Sequence, residues 1–112
     1  MNEKTARALV YARSGGICER CGNTRATNWH HRQARGRSKV GQWCPSNGLH
    51  LCGSGSTGCH GYITENPKTA REQGWSVPSW EDPANVPVWV AGREFVFLTP
   101  TGNYETKDGE AA

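Results

Sequence analysis

Apolar positions are sparse in this chain and come in short bursts, each long enough for one small element. From Glu3 to Tyr11 the string EKTARALVY puts Ala6, Leu9 and Val10 at helical spacing, and Ser14-Gly15-Gly16 ends the pattern. Ala26 to Arg32 predicts a strand carrying Trp29 and the adjacent His30 and His31, and Leu49 to Cys52 predicts a second. A helix is expected from about Gly58 to Glu65. A further helical turn runs from Pro67 to Gln73, since proline suits the first helical position and Gly74 can close the end. Val86 to Val90 and Glu94 to Leu98 alternate about Ala91-Gly92-Arg93, the pattern of a hairpin. Trp29, Trp75, Trp80 and Trp89 read as core residues. Gln33 to Ser46 reads as a Gly- and Arg-rich loop, and residues 106–112 read as a disordered tail. The class is α+β: one domain over 1–105, with a central part at about 13–65 and an extension at 66–105.

Composition changes this picture by making the core thin. The chain has 112 residues, 35% hydrophobic residues and 14 glycines, so much of it is turn and loop that buries little side chain. Small domains of this kind commonly need a staple. No apolar run approaches the length of a membrane span, and residues 1–13 lack the apolar stretch of a signal peptide, so a cytoplasmic, reducing location is expected. In that setting five cysteines suggest a metal site and a spare thiol more than a disulfide framework. Cys18-x-x-Cys21 with Cys52 and Cys59 supplies the four thiolates of a closed tetrahedral zinc site; the alternative is a set of inert buried thiols. The turn between Cys52 and Cys59 is glycine-rich and flexible enough to bring both sulfurs to one ion. Cys44 is left over, as a free thiol or a substitute ligand.

Charge adds a direction. Residues 20–64 hold six Lys and Arg and no Asp or Glu, although the net charge of the chain is only +3. Such a segment suits phosphates, with Arg32, Arg35, Arg37 and Lys39 gripping a nucleic-acid backbone; the plainer reading is a solvated basic loop. The same segment holds all four histidines. Adjacent His30 and His31 either point to opposite faces of a strand or, at its end, splay around one site. One can then bind a metal while the other takes a proton from water, a division suited to phosphodiester hydrolysis. His60 directly follows Cys59, so the zinc staple would hold it against the strand of His30. His50 is expected on the outer face of its strand or near the zinc. Trp43 is expected to contact DNA or to pack over the Cys18–Cys21 knuckle.

The order Cys18-x-x-Cys21, Trp29-His30-His31, Asn47-Gly-Leu-His-Leu-Cys52 and Cys59-His60 resembles the zinc-bearing HNH endonucleases, over about residues 13 to 65. The segment from Gly74 through the hairpin is similar to small HNH proteins of actinobacteria and their tailed phages. The resemblance implies a ββα-metal fold, here with a four-cysteine zinc staple, an N-terminal helix and a C-terminal hairpin. By position it implies His31 as general base, Asn47 as the residue that pins the loop and orients that base, and His30 and His60 as ligands of a catalytic Mg²⁺, Mn²⁺, Ni²⁺ or Zn²⁺. Two departures stand out. Six residues separate Cys52 from Cys59 where the family more often has two, and Thr64 and Glu65 stand where many members add a further ligand. The implied activity is cleavage of DNA through its phosphate backbone with little sequence preference, alongside phage terminase or packaging proteins. From another class, a non-catalytic zinc ribbon that binds nucleic acid or protein would use the same cysteines but has no need of His30, His31 and His60.

Overall fold

The computed structural model describes residues 1–34 and 40–106. Arg35, Arg37 and Lys39, and the tail predicted from Thr106, fall outside these residues except for Thr106 itself. Helix α1 spans Glu3–Ser14, longer than the sequence pattern suggested, because its end is set by left-handed Gly15, whose N–H donates to the Tyr11 carbonyl. At the other end the N–H of Thr5 donates to Asn2 Oδ1 at 2.9 Å, a cap the pattern did not reveal. Ala6 and Val10, one turn apart, form the buried face.

Strands β1 (Asn28–His31) and β2 (Gly48–Leu51) pair antiparallel, with Trp29 opposite His50 and His30 opposite Leu49. Alternation gives this small sheet two unlike faces. Trp29 packs with Ala6, Val10 and Trp43, on the side of α1. Leu49 and Leu51 join the larger core with Ile63, Trp75, Val88, Val96 and Leu98. Opposite His31, Gly48 is required by the approach of Trp29, whose ring occupies the space that a Cβ at that position would need. Helices α2 (Gly58–Glu65) and α3 (Pro67–Glu72) follow, then β3 (Val88–Val90), β4 (Glu94–Leu98) and β5 (Tyr104–Glu105), which form an antiparallel sheet in the order β3-β4-β5. Short 3₁₀ turns at Pro45–Asn47 and Pro83–Asn85 connect these parts. The fold is thus α+β with two small antiparallel sheets. Among the described residues no helix is long and apolar enough to cross a membrane.

Three features depart from the sequence reading. The hairpin gains a third strand, β5, held by Glu19: Tyr104 donates its hydroxyl to Glu19 Oε2 at 2.6 Å, and Arg13 donates to both carboxylate oxygens at 2.8 Å. This carboxylate also accepts the His50 N–H, so α1, β2 and β5 converge on one buried ion pair. Trp80, expected in the core, is 68% exposed in the turn after Pro78.

The third departure concerns Arg32, expected on phosphates but only 2% exposed. Its Nε donates to the Gly74 carbonyl at 2.9 Å, Nη1 to those of Ser46 and Pro83 at 2.7 and 3.0 Å, and Nη2 to that of Val86 at 2.9 Å. Four carbonyls, one from the β1–β2 connection and three from the connection between α3 and β3, thereby meet on one guanidinium. Burial, then the neighbouring Arg13, lowers its pKa to about 9, which still leaves it cationic at neutral pH. Arg32 is an internal rivet, and it holds the extension after α3 against the end of β1.

Candidate functional site

Four thiols gather where the knuckle, the end of β2 and the start of α2 meet. The Sγ atoms of Cys18, Cys21, Cys52 and Cys59 all lie within 4.8 Å of one another, with Cys21 and Cys52 at 4.0 Å. Around zinc, bonds of about 2.3 Å place tetrahedral sulfurs about 3.8 Å apart, so the cluster has the size that the ion requires. All five cysteines are free thiols, which leaves these four available as ligands. The long spacing is accommodated as expected: Gly53 and Gly58 adopt φ of 88° and 62°, and a bridge between Ser54 and Thr57 folds the turn back on itself. The cluster can therefore hold a metal ion such as zinc. Cys44 stands apart, its sulfur 3.2 Å from Ser46 Oγ.

The cysteine turn also positions His60. Its backbone N–H donates to the Cys52 carbonyl at 3.2 Å, and its ring meets that of His30 edge-on with centroids 5.1 Å apart. The hydrogen bonds around this pair define both tautomers. Asn28, two residues before His30 on the same face of β1, donates its Nδ2 to the carbonyl of Gly53 and to Thr27 Oγ1. Its Oδ1 is thereby turned to His60 Nδ1, at 2.7 Å, which must be the donor. His30 Nε2 lies 2.7 Å from the Trp75 carbonyl and must likewise donate. Each ring thus spends one nitrogen on an oxygen acceptor and keeps a lone pair on the other, His60 at Nε2 and His30 at Nδ1. Burial lowers the pKa of both rings, that of His30 to about 4, so the pair is neutral at pH 7. An imidazole whose second nitrogen donates to an oxygen is the usual form of a metal-binding histidine. Asn28 was not anticipated; its only sequence signal is the two-residue spacing from His30.

His31 does not join this pair. Strand alternation turns it to the opposite face, where its ring centroid lies 6.1 Å from that of Trp29 and 5.1 Å from that of Trp43. The indole N–H of Trp29 donates to His31 Nδ1 at 3.3 Å, which favours the tautomer with its proton on Nε2. Trp43 therefore belongs to the α1 side, with Arg7 5.2 Å above its ring, and does not cover the knuckle. His50 shares that side, with Nδ1 3.1 Å from Ser14 Oγ. Asn47 is fully buried: its Oδ1 accepts the Gln33 N–H at 2.8 Å, tying the chain just beyond His31 to the start of β2.

The basic segment is also redistributed. Of its six cations, Arg32 is internal and Arg20 is stacked on Tyr62 and Trp75, while Arg25 is exposed. Comparison with protein-family models, curated proteins and solved structures gives no match for this chain.

Proposed function

We propose that this chain is a metal-dependent endonuclease of the HNH type, in which β1, β2 and α2 serve as a ββα-metal unit and phosphodiester bonds of DNA are hydrolysed. The observation that carries this reading is the His30–His60 pair, brought together from two elements with one lone pair kept on each ring. Four cysteines already suffice for a structural ion, so a zinc ribbon has no need of a second, neutral imidazole pair.

His30 and His60 would hold the catalytic ion, and Asn28 and the Trp75 carbonyl would fix their orientation. A divalent cation bound there supplies charge stabilisation for the scissile phosphate and the departing 3′ oxygen. Imidazole nitrogens favour Ni²⁺ and Zn²⁺ over Mg²⁺, so the protein should be more active with the former at equal low concentrations. His31 is the group assigned to take the proton of the attacking water. To do so it gives up the 3.3 Å contact from Trp29, already at the long end of the hydrogen-bond range, and accepts at the freed nitrogen. Asn47 would hold the following backbone still. Arg35, Arg37 and Lys39, with exposed Arg25, would bind the flanking phosphates, contacts that carry little base information.

Supercoiled plasmid incubated with purified protein and Ni²⁺, Mn²⁺ or Mg²⁺ should become nicked or linear. His60→Ala and His31→Ala should each lower the rate by about 100-fold or more while leaving the zinc content unchanged. If wild type and both variants behave alike with every metal, the enzyme reading fails and the binding-module reading takes its place.

A further inference from the structure

We infer that Arg20 is the counter-cation of the four-cysteine metal centre and shields Cys59 in particular from electrophiles. The inference is independent of the nuclease reading; it concerns only the ion held by the cysteines.

Zinc with four thiolates carries a net charge of about −2, which a partly buried site must offset with hydrogen-bond donors or cations. The donors here are unequally shared. Cys18 receives the N–H of Cys21 at 3.5 Å, and Cys52 receives that of Cys59 at 3.4 Å. Both are backbone groups that no side-chain truncation removes. The donor to Cys59 is instead a side chain, Arg20 Nη1 at 3.2 Å.

Arg20 is held for this role from both sides. Its guanidinium carbon lies 3.8 Å from the ring centroid of Tyr62, on α2, and 4.9 Å from that of Trp75, beyond α3. Stacking fixes the guanidinium plane, and a fixed plane aims Nη1 at the sulfur without further ordering cost. Its Nε is buried and has no hydrogen-bond partner among the described residues. Leaving a donor unpaired is unfavourable, and the charge-assisted bond to a metal-bound thiolate compensates for it.

The test is zinc release from the loaded protein during reaction with N-ethylmaleimide, followed with a chromogenic chelator. In that reaction a cysteine sulfur adds to the maleimide double bond, the adjacent carbon takes a proton from water, and the zinc–sulfur bond breaks. Arg20→Met should release zinc about tenfold faster than wild type, the change expected for losing one charge-assisted hydrogen bond. In a Cys44→Ala background, which removes the thiol outside the cluster, peptide mapping of the first adduct should find it on Cys59. Lys68→Met, which removes a surface cation, should react like wild type. Release at the wild-type rate in Arg20→Met, or first adducts spread evenly over Cys18, Cys21, Cys52 and Cys59, would overturn the assignment. Should Arg20→Met fail to fold, Arg20→Lys and Arg20→Gln carry the test. Lysine keeps the charge and should release zinc more slowly than glutamine, whereas equal rates would overturn the assignment.

Discussion

Replacing Arg32 by methionine is expected to lower the stability of the fold sharply. Methionine fills much of the same volume but donates nothing, so the carbonyls of Ser46, Gly74, Pro83 and Val86 lose a buried partner together. Each unsatisfied buried group costs about 1–3 kcal/mol, and a small domain has only about 5–15 kcal/mol in total. A loss of about 4 kcal/mol, at the low end, lowers the melting temperature by about 20 °C in a domain of this size. Arg32→Lys should rescue little, because an ammonium on a flexible stem cannot meet four carbonyls arranged around a planar fork. Thermal unfolding followed by circular dichroism checks this. A melting temperature within a few degrees of wild type, accompanied by weakened DNA binding, would return Arg32 to the phosphate-binding set.

Cys18→Ala should have an effect of similar size by another route. Zinc binding in small domains is worth about 10–16 kcal/mol, comparable to or larger than the whole folding free energy, so loss of one ligand removes a large part of what holds the fold. The site joins the knuckle to β2 and α2, and the knuckle carries Glu19, on which α1 and β5 depend. Damage should therefore spread through both sheets. Cys18→Ala is expected to lose zinc and its cooperative melt, and chelator treatment of wild type should reproduce this state. Cys44→Ala, outside the cluster, should leave both properties unchanged. Unaltered zinc content and melting in Cys18→Ala would remove the staple from the account.

How far the sequence disclosed these features follows from how local each one is. Helices α2 and α3 and the β3–β4 hairpin were legible because proline, glycine and period-2 alternation act within a few residues. The cysteine cluster was legible because only a few thiols had to be matched. Arg32 and Glu19 were not. A lone arginine in an acid-free stretch reads as a surface cation, and its burial depends on carbonyls up to 54 residues away. Tyr104 meets Glu19 across 85 residues, so β5 had no local pattern to announce it. The histidines fall between these cases. Alternation alone separates His30 from His31, but the partner of His30 came from the fold, and Asn28 became meaningful only once its oxygen faced His60.

The proposed function requires two ions at chemically different sites, and a Co²⁺ titration of the metal-free protein followed by absorption counts them. The first equivalent should give the intense sulfur-to-cobalt charge-transfer bands of thiolate ligation. A second, weaker equivalent should add only ligand-field absorption, disappear in His60→Ala, and persist from pH 7 down to about pH 6. Burial lowers the pKa of both rings, that of His30 to about 4, and binding should weaken as the pH falls and protons compete for the ring nitrogens. A titration that saturates at one equivalent in wild type, or a second equivalent that survives in both His30→Ala and His60→Ala, would contradict the account.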